Sequence, residues 1–151
     1  MGKVDAALAR MAGHRVYVDT NVFIYFLDGN PDFFPVVRPI IAAIESGVMI
    51  GCTGDAAIAE TLVKPYQAGN QALVASFKEF FSMENFLSIQ PHDAETFDLA
   101  AQLRAGRGLK FIDALHYATA LRAGCKFFIT NDDGIQSSDA LEVVAVKHLA
   151  A

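Results

Sequence analysis

Two acidic residues follow apolar runs of the chain, at the points where strands are expected to end. Asp19 comes directly after the run VYV at residues 16–18, and Asp132 comes shortly after the run FFI at 127–129. Hydroxyl and amide side chains accompany both acids, namely Thr20, Asn21, Thr130 and Asn131. Such residues also cap helices and form turns. Two matching sets of side-chain oxygens nevertheless indicate a site for a hard divalent cation, which prefers oxygen ligands.

Two further acids, Glu60 and Asp113, lie inside helical segments rich in apolar and small residues. A carboxylate on a helix face that packs against a sheet is unfavourable unless a charged group compensates it. Asp113 could serve the first turn of its helix, where the dipole favours an anion, whereas Glu60 has no such local role. Four acids from four segments can converge on one cation, which could polarise a phosphate ester and activate water near neutral pH.

The elements that must position these acids alternate between β-rich runs and segments of helical period. Strands are predicted at Arg15–Val18, Val48–Cys52, Phe86–Ile89, Lys126–Thr130 and Glu142–Val146. Helices are predicted at Thr20–Leu27, Pro35–Glu45, Ala56–Val63, Asn70–Phe81, Ala94–Ala105 and Ile112–Ala123, the third ending near Pro65. This order is typical of an α/β fold with a mostly parallel sheet, which places ligands at the carboxyl ends of its strands.

The length of 151 residues predicts one domain with a short N-terminal extension. Residues 1–14 are assigned to the extension, with a short helix at Val4–Met11, and residues 15–151 to the domain. No uncharged apolar run approaches the roughly 18 residues that cross a bilayer, and Met1–His14 lacks a secretory pattern. The sequence therefore predicts no membrane association and a cytoplasmic location.

Hydrophobic residues make up 53% of the chain, more than a small interior can bury, which predicts a homo-oligomer, most simply a homodimer. The net charge of −5 is unfavourable for binding a polyanion. Either nucleic acid is not the partner, or the negative charge is concentrated where cations bind, and the four acids favour the second interpretation. Cys52 and Cys125 match no metal-ligand spacing and are expected to be reduced, buried thiols.

Four segments of the chain closely resemble, in order, the successive motifs of PIN domains. They are VYVDTNVFIY at 16–25, AETLVKP at 59–65, IDALHYATAL at 112–121 and FITND at 128–132. The resemblance extends over about residues 15–146, and it is greatest to compact prokaryotic PIN proteins such as VapC-like toxins. It implies a three-layer α/β/α architecture with a central, mostly parallel sheet of four or five strands.

The resemblance also implies a ribonuclease that cuts RNA with Mg²⁺ or Mn²⁺ and is silenced by a cognate antitoxin. Asp19, Glu60, Asp113 and Asp132 would form the acidic pocket, with Asp19 and Asp113 as the most direct metal ligands. Four further residues would orient these acids or the substrate, namely Asn21, Thr130, Asn131 and His116. His116 lies three residues after Asp113, so it shares a helix face with that acid and could orient it or a phosphate.

Two alternatives stay open at this point. Residues 53–57, before Glu60, are poorer in hydroxyls and large aliphatic side chains than the family pattern, which is compatible with a PIN-like scaffold that binds RNA or protein without cutting. A phosphoacceptor signalling domain would need a pair of acids near the first strand, which the sequence lacks. The additional acids Asp55 and Asp133 are expected in turns or helix caps.

Basic and aromatic residues near the predicted site complete the set of candidates. Lys64, Arg104, Arg107 and Lys110 flank its mouth and are candidates for phosphate contacts, although each could simply be solvated surface charge. Phe77, Phe80, Phe81 and Phe86 have helical spacing, which predicts a core or a groove for a second subunit or an antitoxin.

Overall fold

The computed structural model describes residues 2–150, which form five strands and eight helices. The strands are β1 (Arg15–Val18), β2 (Ile50–Gly54), β3 (Leu87–Gln90), β4 (Phe127–Thr130) and β5 (Glu142–Ala145). The helices are α1 (Lys3–Met11), α2 (Thr20–Asp28), α3 (Phe34–Glu45), α4 (Asp55–Gln67), α5 (Gln71–Phe81), α6 (Ala94–Arg107), α7 (Phe111–Arg122) and α8 (Val146–Leu149). None of the helices in this range combines the length and apolarity needed to cross a bilayer.

All five strands join one sheet in the order β3-β2-β1-β4-β5, and every neighbouring pair is parallel. In the central strand β1, Val16 lies opposite Gly51 of β2 and Phe127 of β4. The chain leaves β1 toward β2 on one side and later returns to β4 on the other. A crevice therefore opens between the carboxyl ends of β1 and β4, where sheets of this kind bind ligands.

Helices cover both faces of the sheet because the strands direct apolar side chains to each face in turn. Val16 and Val18 face the larger core, which they share with residues of α1, α2, α3, α5 and α8. Tyr17, between them, faces the opposite side and stacks on Phe128 at 5.0 Å between ring centroids. The predicted three-layer α/β/α fold with a mostly parallel sheet is confirmed.

Helix α1 packs on the rest of the domain rather than standing ahead of it. Its Ala7 and Met11 are buried in the larger core, and the helix contacts α3 and α8. Phe77, Phe80, Phe81 and Phe86 are all buried, as core residues. The division between an extension at 1–14 and a domain at 15–151 stays a prediction, and its outermost residues, Met1 and Ala151, lie outside the described range.

Most element boundaries lie within one or two residues of the predicted ones, and three of the differences concern β2, α4 and β5. Strand β2 begins at Ile50 rather than Val48, because Val48 belongs to the turn, where its carbonyl accepts the Gly13 N–H at 2.8 Å. Helix α4 continues through Pro65 to Gln67, although the proline has no N–H to donate to the preceding helical turn. Val146 begins the short helix α8 instead of ending β5, since four residues are too few to show a helical period.

Candidate active site

All four predicted acids line one cavity of about 370 Å³ at the carboxyl ends of β1 and β4. Asp19 and Asp132 follow the two strands, while Glu60 and Asp113 reach the cavity from α4 and α7. The full lining is Asp19, Thr20, Asn21, Ile24, Glu60, Lys110, Ile112, Asp113, His116 and Asp132. The fold thus brings together side chains from four separate parts of the chain.

Asp19 is the N-cap of α2 and is held by two hydrogen bonds. Its Oδ1 accepts the Thr20 N–H at 2.8 Å, and its Oδ2 accepts the Thr130 hydroxyl at 2.7 Å. The residue is only 6% exposed, and this burial raises its pKa. The charge of His116 and the two hydrogen bonds oppose the rise without cancelling it. Asp19 is therefore a fixed carboxylate in surroundings that disfavour its charge.

Asp113 and Asp132 are neighbours in the lining of the cavity. Burial, followed by the negative charges of Asp132 and Asp19, raises the pKa of Asp113 to about 6, and Lys110 only partly offsets this. Asp132 is held in its turn, because its N–H donates to the Thr130 hydroxyl at 3.0 Å and its Oδ1 accepts the Gly134 N–H at 2.8 Å. A bound cation would relieve the repulsion between these carboxylates.

Glu60 also lines the cavity, and its side chain is 37% exposed. It has no role in the first turn of α4, and its compensation comes from other elements, because Oε1 accepts hydrogen bonds from the Thr20 hydroxyl and His116 Nε2, both at 2.7 Å. Burial acts to raise the pKa of Glu60, but the hydrogen bonds from His116 and Thr20 outweigh it and lower the pKa. Glu60 is therefore ionised and oriented.

His116 orients Glu60 rather than Asp113. Its Nδ1 lies 2.6 Å from the hydroxyl of Tyr17, and its Nε2 lies 2.7 Å from Glu60. Burial, together with the charge of Asp19, raises the pKa of Tyr17 well above its usual value, so the phenol keeps its proton. The ring of His116 is therefore held at both nitrogens, and Nε2 donates to the Glu60 carboxylate.

Asn21 and Thr130 support the acids, whereas Asn131 turns away. Asn21 donates to the Thr130 hydroxyl at 3.4 Å and accepts the Asn131 N–H at 3.2 Å. The side chain of Asn131 instead joins Tyr25 and the backbone N–H of Lys147, so it links α2 to α8 and does not line the cavity. This placement gives no support to a substrate-orienting role for Asn131.

The two additional acids also lie outside the cavity lining. Asp55 is exposed in the first turn of α4, and Asp133 forms an ion pair with Lys147. Of the four basic candidates, only Lys110 lines the acidic cavity. Arg107 donates to the carbonyl of Gln136 at 3.1 Å, and Lys64 lines a neighbouring groove.

Two residues of the site were not predicted. Tyr17 contacts His116, and His92 connects α4 to α7 by accepting the Ala56 N–H at 3.0 Å and pairing with Thr119 at 2.9 Å. Tyr17 could have been found from the sequence, since a tyrosine in the middle of a strand buried on both faces needs a partner for its hydroxyl. His92 carried no such signal, because it lies in the loop before α6.

The oxygen donors of the cavity fit a hard divalent cation. Within residues 2–150, no group of three or more His, Cys, Asp or Glu side chains is arranged to hold a metal ion by itself. Mg²⁺, however, keeps several waters and usually binds one or two carboxylates plus substrate phosphates. The facing carboxylates of Asp113 and Asp132, with Asp19 nearby, supply a donor set of that kind.

Comparisons with known proteins agree with this fold. Residues 16–141 match the family model described as PIN domain, and no curated protein matches the chain in sequence. VapBC2 from Rickettsia felis, solved with a DNA fragment from its promoter, is 16% identical over 87% of this chain and 98% of that chain, with a TM-score of 0.67. A toxin–antitoxin complex from Klebsiella pneumoniae is 16% identical over 87% and 97%, with a TM-score of 0.64.

A third similar structure is that of VapC20 from Mycobacterium tuberculosis, a toxin that cleaves the sarcin–ricin loop. It is 13% identical over 75% of this chain and 86% of that chain, with a TM-score of 0.62. At such identities the likeness to the three solved structures establishes a common fold.

Proposed function

The chain belongs to the PIN domain family, and on that basis we propose that it is an endoribonuclease that hydrolyses RNA phosphodiester bonds with Mg²⁺ or Mn²⁺. This proposal rests on one observation, which is that a single cavity is lined by Asp19, Glu60, Asp113 and Asp132. Phosphodiester hydrolysis requires positive charge beside the phosphate and an activated water molecule, and a carboxylate-held cation provides both.

Asp19 and Asp113 would hold the cation most directly, because they are the most buried of the four acids, at 6% and 9% exposure. Asp132 would complete the protein donors from its position beside Asp113, and Glu60 lines the same cavity. When bound, the cation would stabilise negative charge on the phosphate and make water a better nucleophile.

The chain's own residues would position the reacting groups. The Thr130 hydroxyl and the Thr20 N–H fix the two oxygens of Asp19, so this carboxylate is preorganised before substrate arrives. Glu60 is fixed through Oε1, which leaves its other oxygen to orient a water molecule by hydrogen bonding. Lys110, at the rim, supplies a positive charge for a phosphate of the RNA.

We further propose that the protein is the toxin of a toxin–antitoxin pair, that it is cytoplasmic and homodimeric, and that a cognate antitoxin silences it. The similar structures include a toxin–antitoxin complex and a toxin, which supports this proposal. A groove of about 360 Å³ beside the acidic cavity shares Ile24 and Glu60 with it and adds Val63 and Phe77. A partner protein could pack against this apolar surface next to the acids.

Cleavage assays test the enzymatic proposal. The purified protein would be incubated with labelled structured RNAs in Mg²⁺, Mn²⁺ or EDTA. We expect cuts that require metal and that fall by about 100-fold or more in Asp19→Asn and Asp113→Asn, since even changes around a metal site cost 10–100-fold. Asp139→Asn removes an exposed carboxylate outside the cavity and should cut normally.

Absence of cleavage under every condition, by a folded protein that still binds RNA, would replace the nuclease with an RNA-binding scaffold. The toxin role has its own test, because expression of the wild-type chain alone should arrest growth and Asp19→Asn should not. Normal growth with an active, soluble wild-type enzyme would contradict that role. Sedimentation of the purified chain tests the homodimer.

A further inference from the structure

Two phenylalanines differ from the rest in that their rings meet solvent. All twelve lie within the described residues, and only Phe97 of α6 and Phe111 of α7 are exposed, at 44% and 49%. Their rings are 6.3 Å apart between centroids and nearly parallel, at 11°. We call them the aromatic pair. Adjacent exposed apolar side chains of this kind are typical of a surface that meets a ligand or partner.

Two basic residues lie close to the aromatic pair. The guanidinium of Arg104 lies 5.9 Å from the ring centroid of Phe111, and Lys110 directly precedes Phe111 in the connection between α6 and α7. Neither Arg104 nor Lys110 belongs to any ion pair among residues 2–150. In a chain with a net charge of −5, this local positive charge favours a polyanion as the occupant.

The aromatic pair is continuous with the acidic cavity. Lys110 and Ile112, the neighbours of Phe111 in the chain, both line that cavity. On the other side, the ring of His92 lies 6.4 Å from that of Phe97 and 6.1 Å from that of His116. An RNA strand with one phosphate among the acids would therefore bring a neighbouring base toward the aromatic pair.

We propose that the aromatic pair, with Arg104, is a stacking subsite for an unpaired base of the RNA next to the phosphate held at the acids. The inference rests on the proposed ribonuclease function. Aromatic rings stack on the face of any base, and an arginine beside them adds a cation–π contribution. Bases within a duplex are already stacked on one another, so the subsite selects single strands and loops.

RNA binding in the absence of cleavage tests the subsite without relying on catalysis. The probe is a fluorescent single-stranded RNA, followed by anisotropy, with Asp19→Asn introduced into every protein compared to prevent cleavage and a duplex of the same sequence as comparison. We expect Phe111→Ala and Phe97→Ala to weaken single-strand binding by about tenfold each, and Phe111→Tyr to bind as the wild type does. Tyr66→Ala is a matched control, since Tyr66 is 57% exposed with Lys78 5.7 Å from its ring centroid, outside the cavity lining.

Three outcomes would overturn the stacking subsite. The first is equal single-strand affinity of Phe111→Ala and wild type, which leaves the nuclease intact if the wild type still cuts RNA. The second is an equal loss in Tyr66→Ala, which would make the effect nonspecific. The third is a dimer that Phe111→Ala turns into a monomer without loss of RNA affinity, which would assign the aromatic pair to a subunit interface. Wild-type protein that neither cuts nor binds RNA would refute the nuclease as well.

Discussion

Gly54 is the last residue of β2, and replacing it by alanine would place a methyl group where two side chains already lie. The added Cβ would stand 2.7 Å from His92 Nε2 and 2.9 Å from the Tyr17 hydroxyl, both closer than real Cβ contacts allow. The backbone of Gly54 is extended, with φ −110°, so alanine itself is unstrained there. The effect of Gly54→Ala is therefore purely steric, and at least one side chain must move.

Neither side chain can move without losing hydrogen bonds. His92 is held by the Ala56 N–H and by Thr119, and the fully buried Tyr17 is held by His116. Overpacking costs about 1–3 kcal/mol, and a lost hydrogen bond adds about 1 kcal/mol. We expect Gly54→Ala to lower the free energy of unfolding by about 2–4 kcal/mol, or the Tm by roughly 5–15 °C.

Urea denaturation followed by circular dichroism measures this loss. Gly106→Ala is the control, because nothing lies within 4 Å of its added Cβ and alanine in helix α6 should stabilise the protein by about 0.5–1 kcal/mol. In a His92→Ala background the nearest obstacle is gone, so Gly54→Ala should cost less. A Gly54→Ala protein as stable as the wild type, or an unchanged loss in the His92→Ala background, would refute the steric argument.

Three further predictions concern the acids and their partners. Burial and the charges of Asp132 and Asp19 raise the pKa of Asp113 to about 6, and only the ionised carboxylate binds a cation. Mg²⁺ should therefore raise the Tm of the wild type more at about pH 8 than at about pH 5, and should not raise the Tm of Asp113→Asn. Equal shifts of the Tm at both pH values would contradict this. Without metal the pH dependence of stability has the opposite sign, because the carboxyl of Asp113 holds its proton more tightly in the folded than in the unfolded state. Its contribution to the free energy of unfolding is therefore lost as the pH rises through about 6. Urea titrations in EDTA can measure this loss. Thr130→Val removes the donor to Asp19 Oδ2 and should lower the free energy of unfolding by about 1.5–3 kcal/mol, whereas Thr130→Ser should keep most of it.

The acids at the strand ends could be predicted because the strands themselves were recognisable. A strand buried on both faces, such as β1 or β4, reads as an unbroken apolar run, so the first polar residue after it marks the carboxyl edge of the sheet. Asp19 and Asp132 lie at that edge. Asp113 became a candidate because a carboxylate in an apolar helical segment needs compensation, and the family motif then assigned it to the site.

The hydrogen-bond partners of the acids could not be predicted in the same way. Glu60 and His116 are separated by 56 positions, and their contact depends on how α4 and α7 cross the edge of the sheet. Spacing along α7 favoured Asp113 as the partner of His116, but the ring reaches across the layer to Tyr17 and Glu60 instead. Local periodicity describes one helix face and carries no information on which neighbouring element that face meets.

The central position of β1 in the sheet also governs when the site can exist during synthesis. Strand β1 emerges from the ribosome early, but its neighbour β4 follows more than 100 residues later, at Phe127–Thr130. A nascent chain that already contains Asp19 and Glu60 still lacks the strand that carries Thr130 into contact with Asp19 and places Asp132 beside Asp113. The acidic cavity is therefore completed only after β4 has been synthesised, and a truncated chain released before β4 has no means of assembling it.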